Sequence, residues 1–222
     1  MINPEVIMQG LGAELHVDAD TPQFRELFRT LGTTGLKTVD PEGLHITLVD
    51  PAHTIIPIIS VRDAMAIDRA RSEAGMYLSN QIGKGLRLTP DFDRLLPYGD
   101  HRRKVGIKIA QQGLLNDLRE DVLDIFNETA GIRLNKKFRK PYSGHVVLGI
   151  KNENYRKLSE EGSPFKHNRH KVPAHVWVRG FGILDRVKGE PLDEDTIIKL
   201  AEEIGYRNDT RYRNKPKSVR RV

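Results

Sequence analysis

Gly43-Leu44-His45-Ile46-Thr47-Leu48-Val49-Asp50 is the stretch that decides how this chain folds. As a β-strand it alternates: Leu44, Ile46 and Leu48 fall on one face, His45 and Thr47 on the other. The apolar row packs a core. The opposite face carries an imidazole, which titrates near neutral pH and moves protons, and a hydroxyl, which donates and accepts hydrogen bonds. Two such groups on one strand can touch a single ligand, and the pair suits a phosphate. A half-exposed strand of an ordinary sheet also carries polar residues, so the neighbouring sequence has to decide.

A second strand repeats the arrangement one hundred residues later, in Tyr142-Ser143-Gly144-His145-Val146-Val147-Leu148-Gly149-Ile150. A glycine again lies just upstream of a histidine, and the alternation is the same, with Val147 where the first strand has Thr47. This paired His-x-Thr-x pattern resembles the 2H phosphoesterase superfamily, within it the bacterial 2′-5′ RNA ligase and 2′,3′-cyclic phosphodiesterase group. The likeness covers roughly residues 10–187. Leu44 to Leu48 fits the motif, and in the second motif Val147 stands where the family has Thr or Ser.

The order of elements agrees. Glu14 to Asp18 reads as a short strand on which His16 and Asp18 share a face. Thr21-Pro22 starts a helix, with the hydroxyl as N-cap and proline at the first helical position. Phe24, Leu27, Phe28 and Leu31 follow at helical spacing, Gly32 ends it, and a loop leads to the histidine strand. Pro51 to Pro57 reads as a turn-rich connection. Ser60 with Asp63 caps a helix over about 61–79, weakened at its end by Gly75. Leu86 to Leu88 reads as a short strand and residues 89–103 as a loop.

Val105 to Ile109 then alternates as a strand. Leu115, Leu118, Val122, Ile125, Phe126 and Thr129 form a helical stripe ended by Gly131. A basic connection, Lys136 to Lys140, precedes the second histidine strand. Strand, helix, strand thus occurs twice, each time ending on a histidine. A β-rich stretch from Val172 to Val187 and a helix from Asp193 to Ile204 complete the body. The fold class expected is α+β, with two lobes of repeated strand-helix-strand units related by a pseudo-two-fold about a central cleft, as the family resemblance implies.

The chain has 222 residues and no cysteine, which excludes disulfides, a cysteine nucleophile and thiolate metal sites. Hydrophobic residues make up 38% and charged residues 30%, a balance that supports a buried core. No run is long enough to span a membrane and the N-terminus lacks a signal pattern, so the cytoplasm is the expected compartment. The formal charge of +6 is that of the tail, where Tyr206 to Val222 hold seven Lys or Arg against Asp209 alone. The division expected is therefore a single bilobal domain over 1–205 and a basic tail over 206–222. Arg211, Arg213, Lys215 and Lys217 in that tail suit RNA phosphates, as they also suit a merely solvated terminus.

Among the eight histidines only His45 has Thr or Ser two residues on. His53 and His101 fall in expected loops. His167, His170 and His175 lie in a basic segment without carboxylates, which argues against a metal site. His175 alternates with valines and rivals His145, but His145 holds the position in its unit that His45 holds in the first.

What the resemblance implies is hydrolysis of 2′,3′-cyclic phosphates at RNA ends or on nucleotides, without metal or cofactor; a monomer is the expected state. His45 and His145 share the acid and base roles, the 3′ bond breaks, and the reverse sense joins a cyclic end to a 5′-hydroxyl. Thr47 binds a non-bridging oxygen, and Tyr142, Ser143 and Lys108 are further phosphate-binding candidates. The alternatives are an RNA or nucleotide-phosphate binder on the same scaffold that is weak or inactive in catalysis, and an unrelated α+β domain whose tail binds nucleic acid.

Overall fold

The computed structural model describes residues 7–33, 35–54, 56–58, 60–98, 103–134, 142–151 and 172–188. In chain order its elements are β1 (Ile7–Val17), α1 (Pro22–Gly32), β2 (Leu36–Thr38), β3 (His45–Val49), β4 (Ile56–Ile58), α2 (Val61–Gly83), β5 (Arg87–Leu88), β6 (Pro90–Tyr98), β7 (Lys104–Ile109), α3 (Gln112–Ala130), β8 (His145–Lys151) and β9 (Val176–Lys188). The expected helix from Asp193 to Ile204, the basic connection Lys136 to Lys140 and the tail lie outside the described residues.

The helices start where their caps dictate. The Thr21 hydroxyl accepts from the Phe24 amide at 3.3 Å with Pro22 at the first position, and Phe24, Leu27 and Leu31 are buried. Ser60 accepts from the Asp63 amide at 3.2 Å to begin α2. This helix continues to Gly83, past the end expected near residue 79. Gly75 is no stop: it faces the Phe181 ring of β9, where a Cβ would sit 3.6 Å from Cε2. In α3, Leu115, Leu118, Val122 and Phe126 are buried, and Gly131 closes the helix at φ 68°. No helix among the described residues is long and apolar enough to cross a membrane.

The strands form two antiparallel sheets. One has the order β3-β1-β9-β5, with β4 also paired to β1, and the other the order β2-β8-β7-β6. Each sheet is built on one repeated unit, β1-α1-β3 in the first and β7-α3-β8 in the second. The two lobes exchange strands, since β2 leaves the first unit to pair with β8, while β9 returns to pair with β1. They also meet directly. β3 lies against β8, and the Tyr142 hydroxyl just before β8 donates to the Thr47 carbonyl on β3 at 2.9 Å. A single apolar cluster runs through both lobes, from Leu11 and Leu15 to Val146 and Leu148. The α+β, two-lobed architecture is the one expected.

Four stretches differ from expectation. β1 starts at Ile7 because Gly10 and Gly12, which blur the alternation, are paired strand residues opposite Arg186 and Leu184. β2 and β4 are three residues each, too short to show a period, and take their register from β8 and β1. Residues 90–98, expected as loop, are β6. Its prolines are tolerated because β6 is the edge of its sheet among the described residues, and its pairing with β7 is irregular between Asp91 and Leu95.

Gly12 sets how closely β1 and β3 approach. A Cβ there would fall 2.4 Å from Pro51 Cδ and 2.5 Å from the Val49 carbonyl oxygen, and backbone cannot swing aside. Gly12→Ala is expected to lower stability by about 1–3 kcal/mol. Thermal unfolding followed by circular dichroism checks this, at roughly 2–4 °C per kcal/mol for a chain of this size.

Candidate active site

The two histidine strands present their faces alike. In β3, Ile46 and Leu48 are buried while His45 and Thr47 are half-exposed, and in β8 Val146 and Leu148 are buried while His145 and Val147 are half-exposed. The imidazoles are also held alike. His45 Nδ1 lies 2.8 Å from the Gly43 carbonyl, and His145 Nδ1 lies 2.8 Å from the Ser143 carbonyl, in each case two residues upstream. A carbonyl only accepts, so each Nδ1 carries the proton. In the neutral ring the basic lone pair is then on Nε2. Two imidazoles held alike, each with Nε2 left for another partner, can give and take protons.

Strand register supplies the neighbours. In the first lobe His16 stands opposite His45, and Glu14 opposite Thr47. In the second, Lys108 stands opposite His145, and Gly106 opposite Val147. Directly opposed residues of an antiparallel pair share a face. Lys108 is therefore the group beside His145, as His16 is beside His45. The start of β8 is fixed by Gln112 at the head of α3. Its side-chain amide accepts from the Gly144 amide at 2.8 Å and donates to the Gly144 carbonyl at 2.9 Å.

Burial pushes the His145 imidazole below its ordinary pKa; the Ser143 carbonyl opposes this, while the charges of Lys104 and His45 add to it. His45 and His145 are thus within electrostatic reach of each other. That follows from β3 lying against β8.

The other expected site residues are placed as follows. The Tyr142 proton is committed to the Thr47 carbonyl; burial raises the phenol pKa, and the Arg119 guanidinium sits 5.4 Å over the ring. Tyr142 is thereby a bridge between the lobes. Ser143 is exposed, and its carbonyl is the one that holds His145. His175 lies apart, just before β9, with Nε2 3.1 Å from Arg87 Nη2 and Nδ1 3.4 Å from the Thr89 hydroxyl. His53 pairs loosely with Asp50 at 3.9 Å. His101, His167, His170 and the tail residues Arg211, Arg213, Lys215 and Lys217 lie outside the described residues. Among the described residues no group of three or more His, Asp or Glu is arranged to hold a metal ion.

Two groups at the site were not singled out from sequence. Glu14 has 17% of its side chain exposed and lies 3.0 Å from His16 Nε2 and 3.8 Å from His45 Nε2. The alternation Glu14-Leu15-His16 did put it on the face of His16, but only the pairing of β1 with β3 turns that face toward His45. Asp18, expected to share it, falls past the end of β1 and accepts from the Asp20 amide. Arg179 is the second. The register between β1 and β9 shifts at His16/Val17, and exposed Arg179 donates to the Glu42 carbonyl at 2.6 Å, at the entry to β3.

No family model matches the chain, and no curated protein matches it. Among solved structures, its fold is similar to that of Escherichia coli LigT in apo form, at 15% identity and a TM-score of 0.47, covering 84% of this chain and 95% of that one. It is similar to the MHV ns2 PDE domain at 10% identity and 0.44, covering 80% and 99%. The likeness to TT0787 of Thermus thermophilus is 16% identity and 0.40, covering 81% and 95%. At these identities the likeness is one of fold, and the chemistry has to rest on the residues that β1, β3, β7 and β8 carry.

Proposed function

We propose that the chain is a metal-independent phosphoesterase that hydrolyses 2′,3′-cyclic phosphates of RNA ends or nucleotides, with 2′-5′ ligation as the reverse sense. The observation that carries this is the matched presentation of two imidazoles, each with Nδ1 held by the carbonyl two residues upstream. Opening a cyclic phosphate needs a base for water and an acid for the departing ribose oxygen. One neutral and one protonated imidazole supply both. Thr47 and Lys108, on the same faces as His45 and His145, are the donors for the non-bridging oxygens, where charge builds in the transition state. The basic tail, with Arg211, Arg213, Lys215 and Lys217, adds sequence-independent attraction to an RNA backbone.

The test is turnover of 2′,3′-cyclic AMP and of an RNA oligomer ending in a cyclic phosphate, each in excess EDTA. Undiminished turnover with a 2′-phosphate product is expected. Loss of turnover in EDTA, restored by added divalent metal, overturns the metal-independent mechanism. An inert wild type that binds the oligomer is the outcome expected of a binding protein on the same scaffold.

A further inference from the structure

The two lobes agree in how they hold their histidines and differ in what stands beside them. Around His45 the register puts Glu14 and His16; around His145 the corresponding positions are Gly106 and Lys108. His45 has the Glu14 carboxylate 3.8 Å from its Nε2, whereas His145 has Lys108 opposite it, itself opposite Asp91 on β6, and feels the charge of Lys104. Glu14 is largely shielded from water, and a shielded carboxylate is costly unless it is paired. Its oxygens divide between the two rings, Oε1 at 3.0 Å from His16 Nε2 and Oε2 at 3.8 Å from His45 Nε2. β9 leaves space for this arrangement because residue 182 is glycine. A Cβ there would lie 3.2 Å from His16 Nε2 and 3.4 Å from Glu14 Oε1.

Resting on the phosphoesterase function proposed above, we infer that Glu14 is a positioning residue. Steadied by His16, it sets its carboxylate 3.8 Å from His45 Nε2, beside the imidazole that gives its proton to the leaving oxygen, while His145 takes the proton from water. The other charged groups that bear on the pair are His145, whose ring feels the charge of His45, and Arg179, whose guanidinium is anchored on the Glu42 carbonyl at the entry to β3. In the step itself the water oxygen bonds to phosphorus as His145 Nε2 takes its proton. The bond from phosphorus to O3′ breaks as O3′ receives the proton on His45 Nε2. One water is consumed, and a 2′-phosphate and a free 3′-hydroxyl are formed. Return of a proton from His145 to His45 through solvent resets the site. The downward push of burial on His145 suits a base that stays neutral at neutral pH.

The experiment compares two esters in wild type, Glu14→Gln and His45→Ala: 2′,3′-cyclic AMP, and its analogue with sulfur as the 3′ bridging atom, whose thiolate leaves without a proton. On the oxygen ester, Glu14→Gln is expected to lower kcat by about 10–100-fold with KM nearly unchanged. On the sulfur ester, both variants are expected to keep most of the wild-type rate, which also shows that they fold. Equal losses on the two esters, or no loss on either, overturn the role of Glu14. Wild-type turnover of the oxygen ester alone overturns it too, because a leaving group that needs no proton is the easier one. A wild type inert on both esters overturns the phosphoesterase function itself.

Discussion

Replacing His45 or His145 by alanine is expected to lower kcat for 2′,3′-cyclic AMP by about 10³–10⁴-fold, the upper range for loss of a positioned acid or base. The double variant is expected to fall little further than either single one, because an acid and a base that act in one step fail as a unit. Both side chains are half-exposed on strands whose inward faces are otherwise complete, so the variants keep the apolar packing of Ile46, Leu48, Val146 and Leu148. An unchanged melting temperature separates loss of chemistry from loss of fold. The pH profile provides a second check. With His145 as base, activity requires its neutral form; burial lowers its pKa below the ordinary 6.5, so the acidic limb of kcat/KM is expected below that value. Wild-type rates measured from mildly acidic to mildly alkaline pH locate that limb, and a limb at or above the ordinary value counts against His145 as the base. Retention of wild-type turnover of 2′,3′-cyclic AMP in either alanine variant removes the two-histidine mechanism.

What could be read in advance divides along a physical line. Thr21-Pro22 and Ser60 with Asp63 are local capping devices, so α1 and α2 start where their sequences say. The alternation in β3 and β8 is also local, and it puts His45 and His145 on outward faces before any partner strand is known. The register of one strand on another is not local. That Glu14 and His16 sit beside His45 depends on a pairing in which β1 shifts between Ala13 and Glu14. Likewise the Tyr142 hydroxyl reaches Thr47 only because β3 lies against β8, and nothing in Lys140-Pro141-Tyr142-Ser143 distinguishes that from a phosphate donor. Residues 90–98 were lost to two prolines and several charges, which mark a loop in sequence and an edge strand in the fold.

Lys108→Met is the other change expected to act strongly, and it tests whether Lys108 serves the proposed phosphate site in place of a hydroxyl at Val147. A phosphorane-like transition state puts charge on the non-bridging oxygens, and each lobe offers one position to meet it. In the first lobe the position proposed for this is Thr47, two residues beyond His45. In the second it is Val147, which has no proton to donate. Lys108 is opposite His145 on the same face of the pair and half-exposed, so its ammonium can take the place of the missing hydroxyl. Methionine preserves the stem and removes the charge. The expected loss is about 10²–10³-fold in kcat, the cost of removing one donor to developing charge. Val147→Thr alone then gains little, because the oxygen already has its donor, whereas the same change made on Lys108→Met restores a large part of the loss. The two substitutions are close enough to couple, and a double-mutant cycle reads that coupling directly. Strict additivity, or full activity in Lys108→Met, assigns the charge of the second lobe to another group. Non-additivity ties Lys108 and residue 147 to the same oxygen, so that the departure of the second motif from Thr or Ser is balanced by a cation one strand away.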